Sequence, residues 1–476
     1  MNNSRRSFLK KIGLAGLSIP GLGFFGGGDA AQDEEPYQLT RPQRFNMHGY
    51  AAPKLDTVKV GIIGLGNRGS GTVLRLASIE GVEIRALCDL IPERVESARK
   101  SLEGTSHDPD GYSGSETEWE KVCRRDDLDL ISVVTPWKWH TPMAVCAMEN
   151  GKHVYTELPA AQTIEDAWKL VDTSERTRRH CFQISGSCHR SMQAVMLNMA
   201  RKGFFGDLVH GEGAYIHHLL ENYMFNKGKY QGDWRLKENL NRSGNLYPQH
   251  GLGPIAQMMD LNYGDQMDYL VSMSSNDFMM QDWAREAAQT DDYYEQFTDW
   301  NYRGNMNTTI IKTKKGRTIM LQHDVSSMRP YSNIHLISGT KGAMRRHPSP
   351  VRIATGHDDW LSREETEALV EEYTPEMIKR FNRMLSQSEA GNYDHSYYNV
   401  DVRDWRYIDC LRNGLPIEMD VYDAALWTSI IPLSEWSVAN GSKPVKVPDF
   451  TGGAWKSNKR GMDIELENGG GNTRLI

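Results

Sequence analysis

The stretch VKVGIIGLGNRGSG, residues 58–71, constrains this chain more than any other part of it. An apolar run from Val58 to Ile63 reads as a buried strand, and Gly64, Gly66 and Gly69 then punctuate it. Helical spacing follows from Thr72 to Ile79, and a second strand runs from Val82 to Cys88 and ends on Asp89. Strand, glycine turn, helix and strand-end acid in this order describe a dinucleotide site. The glycines let backbone and helix N-terminus approach a pyrophosphate, and the acid suits a ribose hydroxyl pair. Asp89 favours NAD over NADP, because a carboxylate repels a 2′-phosphate.

The alternation continues. Strand-like DLISVVT (129–135) and HVYTEL (153–158) flank a helical TPMAVCAMENG, and a helix over 164–178 leads to CFQISG. Such alternation predicts a doubly wound parallel sheet, a Rossmann domain over 57–183. Beyond it LVHGEGAYIHHL, QMDYLVSMSSND, MNTTIIKTKKGRTIMLQHDVS and SNIHLISGTKGAM read as long strands with hairpin turns such as Lys315-Gly316. They predict an α+β domain over 184–455 with a large, mostly antiparallel sheet, closed by helices around 400–413 and 421–439. Residues 32–56 are polar and proline-bearing, a linker or wrapping arm, and 456–476 form a C-terminal tail.

The N-terminus carries a different kind of signal. Ser4-Arg5-Arg6-Ser7-Phe8-Leu9-Lys10 precedes an apolar, glycine-rich stretch to about Gly27 and small residues at Ala30-Ala31. This is the pattern of a twin-arginine signal peptide, residues 1–31, cleaved near Ala30 or Ala31. It implies engagement of the twin-arginine export machinery and a periplasmic or secreted location. No later apolar run approaches the roughly 20 residues that span a bilayer, so no stable membrane insertion is expected after cleavage. With 25% charged residues and a net charge of −7, a nucleic-acid surface is not expected. The six cysteines form no CxxC pair and read as core thiols. His217 and His218 have no metal-ligand spacing with a nearby acid, so no metal is expected and both read as structural.

Two more strand ends should face the nucleotide crevice. One carries Trp137, Trp139 and His140 in TPWKWH; the next carries Glu157, Leu158 and Pro159 in TELPAA. This sheet order, with the strand-end ELP and the following antiparallel domain, resembles the Gfo/Idh/MocA dehydrogenase superfamily. Its dehydrogenases place a lysine where this chain has Leu158, and a leucine cannot accept a proton. NLYPQHGLGP (245–254), together with PWKWH, LVHGEGAY, DWR, RPY and DVYDAALWTSIIPLSEWS, resembles the NAD-dependent glycosidases of glycoside hydrolase family 109. The likeness runs from about residue 57 to 455.

The resemblance implies alpha-N-acetylgalactosaminidase activity with NAD held through a redox-neutral cycle: oxidation at sugar carbon 3, elimination, water addition and re-reduction. It implies cofactor contacts at Gly64, Gly66, Asn67, Arg68, Gly69, Asp89, Trp137, Trp139, His140, Glu157 and Leu158. It implies substrate contacts at Tyr215, Arg235, Tyr247, His250 and Tyr331, with acid/base work falling on Tyr215 and His250. Tyr215 is the first choice for the base at carbon 2. The chain departs from the family pattern at Ser185-Gly186 and at Cys188-His189, where an imidazole replaces a tyrosine. His189 is therefore either a further catalytic group or a surface residue. A resident cofactor also reconciles export with a nucleotide site, since an enzyme that consumed NAD outside the cell would stop after one turnover. A sugar or inositol oxidoreductase with tightly bound NAD, and a non-catalytic glycan-binding protein, stay open as alternatives. The open antiparallel sheet leaves room for a homo-oligomer.

Overall fold

In the computed structural model, residues 35–388 and 399–476 are described. The twin-arginine-like segment lies outside them. The first sheet has six parallel strands: β1 (Val58–Ile63), β2 (Val82–Cys88), β3 (Asp110–Tyr112), β4 (Leu130–Val133), β5 (His153–Thr156) and β6 (Cys181–Gln183). Their order is β3-β2-β1-β4-β5-β6, with helices between consecutive strands. β1, β4 and β5 are buried almost without interruption, as a parallel strand covered on both faces must be.

The second sheet holds β7 (Leu208–Ile216), β8 (Met267–Ser274), β9 (Asn307–Thr313), β10 (Thr318–Asp324), β11 (Ser332–Gly339), β12 (Ala343–Arg345), β13 (Arg352–Ala354) and β14 (Val445–Lys446). Its order is β13-β12-β11-β7-β10-β9-β8-β14; β7 and β10 run parallel and every other pair antiparallel. Burial alternates along β9, so one face packs and one face is open. By register Tyr269, Met273 and Ile310 share that open face, and all three are exposed.

Residues 37–476 pack as one unit. The helix Val421–Ala439, buried nearly all round, lies against the helix Ile164–Thr177 and against β6 and β8, so it belongs to both sheets. The helix Val402–Asn413 lies against the nucleotide domain: Asp404 accepts from Arg75 Nε at 3.0 Å and from the Tyr155 hydroxyl, all three being buried.

Both ends of the region from residue 35 onward are tied in. Thr40 bridges to Asp449, Arg41 pairs with Asp172 at 2.6 Å, and Met47 N–H donates to the Tyr422 hydroxyl at 3.1 Å. The segment 37–56 is thus a wrapping arm and not a free linker. At the other end Leu475 bridges to Ile79, and Asp409 accepts from Gly471 and Thr473 N–H. The tail beyond 455 therefore closes on the nucleotide domain, which composition alone does not reveal.

Candidate active site

Strand order reverses between β1 and β4, and ligands of such sheets bind outside the carboxyl ends at that point. The glycine loop leaves β1 here. A Cβ on Gly69 would stand 1.9 Å from the Gly64 carbonyl oxygen, so only glycine permits this turn. A Cβ on Gly66 would meet nothing nearer than an Arg94 nitrogen at 3.7 Å, which leaves the loop open on that side. The helix Gly69–Ala77 begins with no acidic residue in its first turn and no side-chain cap. Open loop and uncapped helix start both fit a pyrophosphate. Asp89 is buried at the end of β2, where it accepts from Leu65 N–H at 2.7 Å and Ile91 N–H at 2.9 Å. It ties the glycine loop to the strand end and retains lone pairs for ribose hydroxyls.

The β4 and β5 ends form the other wall. Trp137 is buried and stacks on Tyr247, centroids 5.3 Å apart and planes 14° apart. Leu158, also buried, lies in the same apolar cluster as Trp137, Tyr215 and Tyr247. The Glu157 carboxylate accepts from Leu158 N–H at 3.1 Å. Two of the expected cofactor contacts have partners within the nucleotide domain. His140 places both ring nitrogens 2.7 Å from carbonyl oxygens, those of Pro159 and Thr135. The Trp139 ring packs by Trp119. The His140 side chain is thus taken up within the nucleotide domain, where it ties the Thr135 and Pro159 backbones together, while Trp139 stays half-buried.

The second domain supplies the groups that carry protons. Tyr215 projects from β7, and His250 from the helix Gln249–Met258 packed on that strand. The approach is as close as a backbone allows: a Cβ on Gly213 would stand 2.4 Å from the Gly251 carbonyl oxygen. That contact brings the Tyr215 and His250 rings into a stack, 5.0 Å between centroids and 18° between planes. Burial pushes the Tyr215 phenol well above its ordinary range. Burial, aided by the guanidinium groups of Arg68, Arg190 and Arg235, pushes the His250 imidazole well below its own. Near neutral pH Tyr215 is therefore a protonated phenol and His250 a free base, two adjacent rings set to opposite roles by their surroundings.

Arg235 lies 5.1 Å over Trp137 and 5.0 Å over Tyr247, with Tyr230 and Trp234 also around it. It is buried, its Nε has no hydrogen-bond partner, and no carboxylate pairs with it among the described residues. A buried guanidinium left this way is poised to hold an oxygen of a bound ligand. Burial pushes the Tyr247 phenol up to about 12. Tyr331 is 42% exposed, donates to Asn333 at 2.9 Å, and meets the His217 ring edge-on at 5.1 Å, which puts it at the rim.

Sequence reasoning misplaced or missed three groups. His189 is neither at the surface nor beside His250; it is buried, with Nε2 2.9 Å from Glu418, whose other oxygen holds Arg406. The same short helix, Gly186–His189, instead brings Ser187 Oγ to 3.2 Å from His250 Nδ1. His217, read as structural, has Nδ1 3.1 Å from the Tyr215 hydroxyl, and burial lowers it to about 4. The Tyr215-x-His217 spacing carried that signal, since alternate strand residues share a face.

Residues 58–184 match the oxidoreductase family with an NAD-binding Rossmann fold, so this part of the chain is a nucleotide-binding Rossmann domain. Residues 189–457 match the C-terminal domain of glycosyl hydrolase 109. The alpha-N-acetylgalactosaminidase of Bacteroides fragilis is 44% identical over 424 residues, covering 88% of this chain and 97% of the relative. A glycosyl hydrolase family 109 protein of Solibacter usitatus is 40% identical over 460 residues, 95% and 98% of the two chains. The chain belongs to glycosyl hydrolase family 109. Among solved structures, an NAD-binding oxidoreductase from Klebsiella pneumoniae superimposes with a TM-score of 0.60 at 15% identity, covering 83% and 100% of the two chains. The aldose-aldose oxidoreductase from Caulobacter crescentus gives 0.56 at 16% identity, covering 82% and 100%. Both share the fold.

Proposed function

We propose that this chain is an exported glycosidase that retains NAD and releases terminal alpha-linked N-acetylgalactosamine by oxidation, elimination, hydration and re-reduction. One observation carries the reading: the strand-end position beside the crevice is a buried leucine, Leu158, while Tyr215, in the same apolar cluster, stacks on His250. Gly64, Gly66, Gly69 and the uncapped helix start would hold the pyrophosphate, Asp89 a ribose, and the Trp137 and Leu158 walls the nicotinamide. When bound, the nucleotide supplies the two-electron oxidation at sugar carbon 3 and the matching reduction at the end of the cycle.

The chain's own groups move the protons. The Tyr215 oxygen accepts the 3-hydroxyl proton as its own proton passes to His217 Nδ1, which lies within reach. The ketone acidifies the hydrogen on carbon 2. Burial makes a Tyr215 phenolate costly, so His250 is the better acceptor there. With Nδ1–H donating a hydrogen bond to Ser187 Oγ, Nε2 is left free as the base. The glycosidic oxygen then departs by elimination, taking up the proton that His250 has gained, and water adds across the carbon 1–carbon 2 double bond, its hydroxyl to carbon 1 and a solvent-derived proton to carbon 2. Arg235, framed by aromatic rings, anchors a sugar oxygen, and His189, held by Glu418, stands outside this path. The alpha-N-acetylgalactosamine specificity is supported by the similarity to the Bacteroides fragilis enzyme. Export is supported by the Ser4–Lys10 pattern. Self-association through the open sheet face is supported by exposed Tyr269, Met273 and Ile310.

Protein purified without added nucleotide is expected to carry NAD, released on denaturation at near one equivalent per chain. It is then expected to cleave a 4-nitrophenyl alpha-N-acetylgalactosaminide with none added, and to spare the beta anomer. Nucleotide-free protein that also binds none on titration would remove the resident-cofactor reading.

A further inference from the structure

The segment between β7 and Arg235 does more than line the substrate side. It leaves β7 at His217 and passes through a single wide helical turn, Leu220–Met224. It then touches both lips of the nucleotide crevice. On the β1 lip, the Asn67 side-chain amide donates to the Lys229 carbonyl at 2.8 Å. On the β4 lip, Trp234 packs edge-on against Trp137 at 5.6 Å. Between those anchors Tyr223 and Tyr230 stack at 6.1 Å, Lys229 lies 5.4 Å over Tyr223, and Tyr230 meets Trp234 at 5.2 Å. The outer side is held elsewhere: Lys227 pairs with Asp291 at 3.3 Å and the Tyr293 hydroxyl donates to Asp233.

β1 and β4 are the two strands between which the sheet order reverses, so a segment joined to both of their ends crosses the place where a dinucleotide enters. We propose that residues 223–235 form a strap over the nucleotide crevice, latched by the Asn67 amide on the Lys229 carbonyl, that keeps the nucleotide resident between turnovers. This rests on the resident-cofactor reading and adds the device that enforces it. Asn67 acts here as a positioning residue. The latch is one exposed hydrogen bond to a backbone carbonyl, strong enough to bias the strap and weak enough to open.

A strap that gates the crevice slows entry and exit alike, whereas a simple ligand contact slows exit alone. The test therefore measures both rates. Holoenzyme is mixed with excess labelled NAD and exchange is followed. Stripped protein is then mixed with NADH, and binding is followed by nicotinamide fluorescence. Asn67→Ala is expected to accelerate both association and dissociation by about fivefold, the factor one such hydrogen bond is worth, with the dissociation constant changing much less. Trp234→Ala, which unhooks the opposite lip, is expected to do the same. Circular dichroism and retained nucleotide binding confirm that each variant is folded. Exchange as slow as wild type in both variants overturns the strap, and so does faster release with unchanged association. Wild-type protein that binds NAD but arrives without it overturns the resident-cofactor reading instead, and the strap with it.

Discussion

Replacing His250 by alanine is expected to reduce turnover by about 10²–10⁴-fold, the usual contribution of a positioned proton-transfer group, while the nucleotide stays bound. The residue sits at the start of the helix Gln249–Met258, which the Gly213–Gly251 approach holds against β7, so removing one side chain leaves the scaffold in place. None of the nucleotide-loop contacts of Gly64, Gly66, Gly69 or Asp89 involves it. The pH profile gives a second readout. Burial lowers the imidazole below its ordinary 6.5, so the base stays free as pH falls through that value. Wild-type kcat/KM should hold level from about pH 8 to pH 6 and decline only in more acidic solution, as His250 takes up a proton. Unaltered activity in His250→Ala, or an acid limb centred above 6.5, would show that another group is the base.

The second large effect belongs to the glycine loop. Gly69→Val is expected to abolish nucleotide binding, and with it all hydrolysis, even in added NAD. Its Cβ, whose position the backbone fixes, would stand 1.9 Å from the Gly64 backbone carbonyl oxygen. No rotamer relieves that contact, so the loop must swing out of the position that leaves Gly66 open and the helix start uncapped. Gly66→Ala is the informative contrast. It meets no protein atom closer than 3.7 Å, so the fold should be unchanged. Any loss of affinity there would come from the added methyl competing with the ligand. Equilibrium titration with NADH measures both variants, and thermal denaturation separates lost binding from lost folding.

The nucleotide half of the molecule was legible in the sequence because its information is local. The β1 run, three glycines, one helix and Asp89 lie within 32 residues, and steric rules link them directly. Tyr215 and His250 could be assigned only through family likeness; their stacking depends on Gly213 meeting Gly251, 38 residues away. His189 was harder still, since its partner Glu418 lies 229 residues on, and nothing near CysHis announces a buried contact with a carboxylate. The wrapping arm had the polar, proline-bearing composition of a linker, yet Met47 and the Tyr422 hydroxyl anchor it across 375 residues. Local pattern specified the elements, and the pairing of distant polar groups decided which side chains face the crevice.

The most direct test of the central claim follows the hydrogen on sugar carbon 2. Holoenzyme is incubated in deuterated water with a 4-nitrophenyl alpha-N-acetylgalactosaminide, and the released sugar is analysed by mass spectrometry and proton NMR against an enzyme-free blank. The same substrate deuterated at carbon 2 is run in ordinary water. Oxidation followed by elimination predicts deuterium at carbon 2 in the first case, and slowed turnover with loss of label in the second. Direct displacement at the anomeric carbon, as in glycosidases with paired carboxylates, leaves that position untouched. Free sugar with its original carbon 2 hydrogen in both experiments, released at the same rate from labelled and unlabelled substrate, would contradict the account.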